Sequence, residues 1–225
     1  MARILITAGP TRQYLDPVRY LTNASSGRMG RALAEAALAS GHQVVVVSGP
    51  VDITYPAAAT VRNVVSTEEM LESSRQEFAA CDGLIAAAAP CDYRPVRVHQ
   101  DKMAKTGAAV DLRLVETADI VATLAAEKTH QWLVGFALET RDHRFRALAK
   151  LERKSCDLIV SNGLQAIHAL DNEVEVIDRR GKLVGAFSGT KEAVAQQILA
   201  IIGRLLISGR PESAQRAKVR SPSTR

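Results

Sequence analysis

The sequence predicts an α/β fold, an open and mostly parallel sheet with helices on both faces and a C-terminal β-hairpin, from three observations. Runs such as RILITA and HQVVVVSG are continuously apolar and rich in β-branched residues, as strands buried on both faces of a parallel sheet are. Helical patterns alternate with them in a repeated βα order. Near the C-terminal end the alternation gives way to two strand-like runs around RRGK, a hairpin pattern.

The first strand, RILITAGPT, leads into a long loop ending in Asn23-Ala24-Ser25-Ser26-Gly27, and RMGRALAEAALASG then reads as an amphipathic helix closed by Gly41. A helix N-terminus offers free N–H groups and partial positive charge, so small residues at its mouth admit an anion, a phosphate first of all. Equally, Ser25 or Ser26 caps the helix and Gly27 eases a turn. HQVVVVSG and TVRNVV are the next strands. In the helix STEEMLESSRQEFAA, Ser66 and Glu69 have capping-box spacing, and Met70, Leu71 and Phe78 supply an apolar stripe.

GLIAAAA is a strand whose small side chains leave room at its end. The stretch holding VRVHQDKMAKTGAA, roughly 20 residues against the usual ~4 to 6, reads as a functional lid. DLRLVE and ADIVATLAAEK follow as strand and helix, then QWLVGFALE, the basic helix HRFRALAKLERKS and the strand CDLIVSN. NEVEVID and LVGAFSG form the hairpin, and TKEAVAQQILAIIGRLL closes as a helix. With no internal repeat or linker, residues 1–207 read as one domain and 208–225 as a basic tail without fixed structure. The arrangement is Rossmann-like, and ligands in such sheets sit beyond the carboxyl ends of the strands.

At 47% apolar residues the chain can bury a substantial core. No run approaches the ~18 to 20 apolar residues of a membrane span. Arg3 precedes a strand-like ILITAG rather than a signal peptide, so a cytoplasmic location is expected. Cys81, Cys91 and Cys156 are odd in number, widely spaced and without a C-x-x-C, which argues for reduced structural thiols and against a disulfide framework or a zinc site. The net charge is +5, but the tail holds five Lys/Arg against one Glu, which leaves +1 for residues 1–207. The basic surplus is a solvated extension, and nucleic acid is not the expected partner.

Unusual residues gather at strand ends: Gly9 to Thr11, Pro90 to Tyr93, Phe136 to Thr140, and Asn162. Lys150 and Lys154, four apart on the basic helix, face the same way, and Lys102 and Lys105 lie in the long loop. Several lysines near glycine-containing helix mouths suit a polyphosphate. Each residue also has a plainer account. Lys150 and Lys154 flank Glu152 on a charged helix, Asp92 can end a strand as an Asx turn, and Phe136 fits a core. No G-x-x-x-x-G-K-[ST] is present, and Gly27-Arg28-Met29-Gly30 gives only a G-x-x-G.

TAGPT, LDPVRYLTN and SSGRMG, followed in order by DYRP, K-M-A-K, ADIV, VGFALET, the K-x-x-x-K of the basic helix and DLIVSN, resemble the phosphopantothenate-cysteine ligases of the bacterial, CTP-dependent type. The resemblance covers nearly the whole chain apart from the tail. It implies that the carboxylate of 4′-phosphopantothenate attacks the α-phosphate of CTP, with Mg²⁺, giving an acyl-cytidylate and pyrophosphate. The amine of L-cysteine then displaces CMP, a step of coenzyme A biosynthesis.

The nucleotide-binding positions that the resemblance implies are Asp92, Lys102, the stretch Ala118, Asp119, Ile120 and Val121, Phe136, Lys150 and Lys154. Asn23 and Lys102 are implied as catalytic, Asn23 at the acyl intermediate. Ser25, Ser26, Gly27 and Asn162 are implied on the phosphopantothenate side. No metal ligand is assigned. A homodimer is implied, with the hairpin at residues 173–187 as a candidate face, because an isolated two-stranded unit needs packing partners. Many bacterial relatives carry a flavin-dependent decarboxylase domain ahead of this one. The chain starts at the synthetase strand, so a separate decarboxylase polypeptide is expected.

Three stretches depart from the family pattern and bear on base selectivity and lid affinity. Ala-Pro-Cys-Asp stands where A-V-A-D is usual, Lys102-Met103-Ala104-Lys105 where K-I-K-K is usual, and Ala118 where a proline is usual. Pro90 lacks an N–H, which removes any backbone donor there. Two other readings of the sequence are an NAD(P)-dependent Rossmann oxidoreductase, which leaves the lysines without a task, and a non-catalytic nucleotide-binding protein.

Overall fold

Along the first strand, Ile4 and Ile6 point to one side and Leu5 to the other, and all three are fully buried. Such a strand needs a helical layer on each side. The structure, a computed structural model, describes residues 1–139, 149, 151–163 and 171–208. Its central sheet holds β1 (Arg3–Ala8), β4 (Gln43–Ser48), β5 (Thr60–Asn63), β6 (Gly83–Ala86), β9 (Trp132–Glu139), β10 (Leu158–Gly163), β11 (Asp171–Asp178) and β12 (Leu183–Thr190). Their order is β12-β11-β10-β9-β6-β1-β4-β5. Strands β1, β4, β5, β6, β9 and β10 run parallel, β11 is antiparallel to β10, and β12 is antiparallel to β11.

Helix α1 (Arg28–Ala39) and the last helix, α4 (Lys191–Ile202), cover one face. Leu33, Val194 and Ile198 meet Ile4, Ile6, Val46, Trp132 and Val160 there. Helices α2 (Thr67–Phe78) and α3 (Ile120–Glu127) cover the other, where Met70, Phe78 and Leu124 meet Leu5, Val45, Leu84 and Leu133. The side chains divide by strand parity, as continuous apolar strands require. Among the described residues, no helix is long and apolar enough to cross a membrane. The three cysteines are buried thiols outside any disulfide, and burial pushes the Cys81 thiol up to about 11.

Four features differ from the sequence reading. The long loop before α1 contains a small ribbon, β2 (Arg12–Tyr14) against β3 (Tyr20–Thr22). The strand in DLRLVE, β8 (Leu114–Glu116), stays out of the central sheet and pairs with β7 (Tyr93–Pro95), at the start of the stretch read as a lid. The C-terminal hairpin is not isolated, because β11 pairs with β10 as an extension of the sheet. That removes the argument for the hairpin as a dimer face. In α2, Ser66 Oγ accepts the Glu69 N–H at 3.1 Å as a capping box requires, but Glu69 reaches back to the N–H of Val65, 2.7 Å away, rather than to the cap residue.

Two glycines set how closely α1 meets the sheet. Gly27, the N-cap, has φ +73, a left-handed conformation that glycine adopts without strain. A Cβ at Gly30 would lie 2.4 Å from Cβ of Ala8, so the first turn of α1 rests directly on the end of β1. Gly30→Ala should therefore push the helix mouth off the strand and cost about 1 to 3 kcal/mol of stability, read as a lower urea midpoint with unchanged slope.

Candidate functional site

The chain leaves β1 toward β4 and β5 on one side, and returns to β6 on the other. Loops leaving the carboxyl ends of neighbouring strands in opposite directions open a crevice between them. A cavity of ≈ 780 Å³ occupies this position, floored by Thr7 and Ala86 to Ala89. The small alanines keep the strand end open.

On the α1 side the cavity is lined by Asn23 to Gly30, Phe136, Asn162 and Lys191. No side chain caps α1. The nearest candidate, Ser25 Oγ, accepts only the Gly27 N–H at 3.4 Å. The capping alternative thus gives way to an open helix mouth, whose N–H groups and dipole suit an anion. Phe136 packs against the core layer beneath α1. Asn162 Oδ1 is buried without a hydrogen-bond partner among the described residues.

On the α3 side the lining runs from Glu116 to Val121 and includes Arg153 and Lys154. Asp119 caps α3 by accepting the Ala122 N–H at 3.1 Å, and its other oxygen pairs with Lys154 Nζ at 2.9 Å. Burial by itself would raise the Asp119 carboxyl. Hydrogen bonds from Lys154 and the Ala122 N–H, with the charges of Lys154 and Arg153, outweigh burial and hold it below its ordinary value.

A hydrogen-bonded knot joins the loops. Cys91 donates its N–H to Thr11 Oγ1 at 2.8 Å, and Thr11 and Thr67 share a hydroxyl contact of 2.8 Å. The Cys91 carbonyl accepts from Thr67 Oγ1 at 3.1 Å and from Thr117 Oγ1 at 2.7 Å. The loops after β1 and β6, the start of α2 and the end of β8 are thereby locked around the segment carrying Asp92. Asn23 adds a second tie, donating Nδ2 to the carbonyls of Pro90 (2.8 Å) and Ala89 (3.3 Å). Pro90 has no N–H, but this tie uses its carbonyl.

The structure thus brings Asn23, Ser25, Ser26, Gly27, Asp92, Ala118, Asp119, Ile120, Val121, Phe136, Lys154 and Asn162 to one cavity. Lys102 is exposed on the loop between β7 and β8 and does not line it. Lys150 lies outside the described residues, as do Thr140 and residues 209–225. Sequence reasoning missed Lys191, the first residue of α4, which is 9% exposed and faces the cavity. Its only signal was a lysine directly after the capping Thr190. Among the described residues, no group of three or more His, Cys, Asp or Glu side chains converges to hold a metal ion.

Comparison with known proteins finds relatives over nearly the whole chain. The family described as DNA/pantothenate metabolism flavoprotein C-terminal domain matches residues 1–205. The coenzyme A biosynthesis bifunctional protein CoaBC of Haemophilus influenzae is 37% identical over 205 residues, which cover 89% of this chain and 51% of that protein. The protein of the same name from Vibrio vulnificus is 39% identical over 210 residues, 90% of this chain and 52% of its own. The chain spans about half the length of these relatives. A crystal structure of the C-terminal domain of coenzyme A biosynthesis bifunctional protein CoaBC is 39% identical, with a TM-score of 0.79, covering 91% of this chain and 95% of that one.

The Asp119–Lys154 pair makes a pH prediction. A carboxyl depressed in the folded state adds stability above its unfolded value, near 3.8, and loses it as pH falls through the folded one. Asp119→Asn keeps the capping acceptor, so it should melt below wild type at about pH 6 and approach it at about pH 3. Asp119→Ala loses the cap as well, about 1 kcal/mol more. Thermal unfolding of the three proteins across that range checks this; a gap between wild type and Asp119→Asn that stays constant contradicts it.

Proposed function

The chain belongs to the DNA/pantothenate metabolism flavoprotein C-terminal domain family, and from that premise we propose that it joins 4′-phosphopantothenate to L-cysteine through an acyl-cytidylate, a step of coenzyme A biosynthesis. The observation that carries this reading is one cavity at the strand-order switch, with an uncapped helix mouth on one side and the Asp119–Lys154 pair on the other. The two ends suit two different anions that must meet.

A carboxylate is a poor acylating agent because its leaving group is oxide. Attack of a carboxylate oxygen on the α-phosphorus forms an acyl–O–P link as the bond to pyrophosphate breaks, which makes that oxygen part of a good leaving group. The cysteine amine then attacks the acyl carbon, CMP leaves, and the amine loses a proton. The protein's contribution is positioning and charge neutralisation.

The α1 mouth, with Ser25, Ser26 and Gly27, takes the phosphate of the acid substrate, and Lys191 and Asn162 extend that side. Asp92, the Ala118–Val121 stretch and Lys154 take the nucleotide, with Lys150 as a further phosphate contact; binding releases Lys154 from Asp119 toward the phosphates. Phe136 lies on the α1 side, where it packs against the acid substrate's chain rather than the base. Both amide hydrogens of Asn23 are engaged by Ala89 and Pro90, so Oδ1 remains to accept a hydrogen bond and orient substrate N–H groups. Lys102 reaches the nucleotide from the loop between β7 and β8.

CTP is the proposed nucleotide. Mg²⁺ would be held chiefly by its phosphate oxygens, with Asp92, Glu116 and Asp119 the acidic residues on the lining, and would supply charge neutralisation. The product would pass to a decarboxylase, fused or separate. A homodimer would form through the β7–β8 ribbon and its loop, where Val96, Val98, Val110, Leu112, Leu114 and Val115 are 37–59% exposed.

Pyrophosphate release by the purified protein with 4′-phosphopantothenate and Mg²⁺ tests the proposal. Release should require the acid, run fastest with CTP among the four nucleotides, and yield the amide only when cysteine is added. Asn23→Asp sets a carboxylate against the Ala89 and Pro90 carbonyls and should slow turnover roughly 100-fold without unfolding the protein. Faster release with ATP would keep the ligase and overturn the base assignment. Nucleotide binding without release would favour the non-catalytic alternative.

A further inference from the structure

Asp16 is a fully buried carboxylate that the chemistry above does not use. It sits in the turn between β2 and β3, and β3 runs directly into Asn23. Its Oδ1 accepts the N–H groups of Val18 and Arg19, both at 2.8 Å, which closes the turn. Its Oδ2 points away from the turn and accepts the N–H of Met103 at 3.1 Å, across 87 residues of sequence. Arg19 completes the grip: Nη2 donates to the Met103 carbonyl at 2.9 Å, while Nη1 lies 3.4 Å from Asp16 Oδ2. Met103 is thus held by both of its backbone groups. A further tie, His99 N–H to the Leu15 carbonyl at 2.9 Å, fastens the same loop to the same turn.

We propose that Asp16 is a positioning residue: with Arg19 it latches the loop between β7 and β8 at Met103, and so sets the platform from which the neighbouring Lys102 reaches the nucleotide. The functional half of this inference rests on the ligase reading; the latch itself does not. Closing the β2–β3 turn needs only one carboxylate oxygen, and the second is spent on the loop. The latch also couples the two catalytic candidates, because the ribbon that ends in Asn23 is the ribbon that holds the loop of Lys102. A carboxylate suits the task, since a charged acceptor strengthens each N–H bond and four donors compensate its burial. Burial by itself would raise this carboxyl. The N–H groups of Val18, Met103 and Arg19, with the Arg19 charge, outweigh burial and keep it below its ordinary value, hence ionised.

Asp16→Asn isolates the second oxygen. The amide keeps an acceptor for the turn but presents a donor to the Met103 N–H. Lys102 and Lys105 are themselves trypsin sites, so the latch is readable without turnover. In the full chain under native conditions, Asp16→Asn should speed cleavage after Lys102 and Lys105 by about 10-fold, the size of one lost charged hydrogen bond. Arg19→Met, which leaves the carboxylate in place, should act in the same direction. In pyrophosphate release, Asp16→Asn should raise the KM for CTP or lower kcat in the wild-type background and change neither in a Lys102→Gln background.

Wild-type cleavage rates in both variants would overturn the latch. An Asp16→Asn effect on kcat/KM that multiplies undiminished with that of Lys102→Gln would overturn the positioning role. Should the protein release no pyrophosphate at all, the ligase reading and the positioning role fail together, and the cleavage rates still decide the latch.

Discussion

Everything at the site depends on one topological constraint: the chain reverses direction across the sheet between β1 and β6. Loops from these adjacent strand ends must diverge, so backbone cannot fill the space between them. The residues at that point are small. Ala86 to Ala89 leave the floor open, and Gly30 lets α1 begin in contact with Ala8. An open floor with a helix N-terminus directed at it is a place for an anion before any side chain is considered.

The side chains then divide the labour by sheet face. Beneath α1 and α4 the cavity has backbone donors, Lys191, Asn162 and an aromatic wall; beneath α3 it has an acid and a lysine that neutralise each other. The Asp119–Lys154 pair keeps the lysine's charge compensated until a stronger anion competes for it. Between these halves, preorganisation comes from the knot of Thr11, Thr67, Cys91 and Thr117, and from the two carbonyls that Asn23 holds. Fixed dipoles of this kind need little reorganisation as charge moves, which is what acyl activation asks of a protein.

The parts of the fold that were legible in the sequence are those with long periodic signals. RILITA, HQVVVVSG and QWLVGFALE read as buried strands because both of their faces are apolar, and Ser66 announced α2 through its cap. The ribbons β2–β3 and β7–β8 were not legible, because strands of three residues are too short for a period-two pattern. Their pairing is set by contacts from distant segments. For the same reason neither Asp16 nor Lys191 stood out in the sequence: burial of a charged side chain is a tertiary property with no local signature. The motif residues of the cavity were legible through their order along the chain. The exposed position of Lys102 was not, since a loop's reach follows from where it is fastened.

The central claim is that one crevice brings the acid's carboxylate into contact with the nucleotide's α-phosphate. The most direct measurement is oxygen transfer from 4′-phosphopantothenate labelled with ¹⁸O in its carboxylate, followed by mass spectrometry of the nucleotide product. One labelled oxygen should appear in CMP, because the acyl–O bond breaks when cysteine attacks. Label in inorganic phosphate, or a product CMP without label in a reaction that forms the amide, would contradict the account.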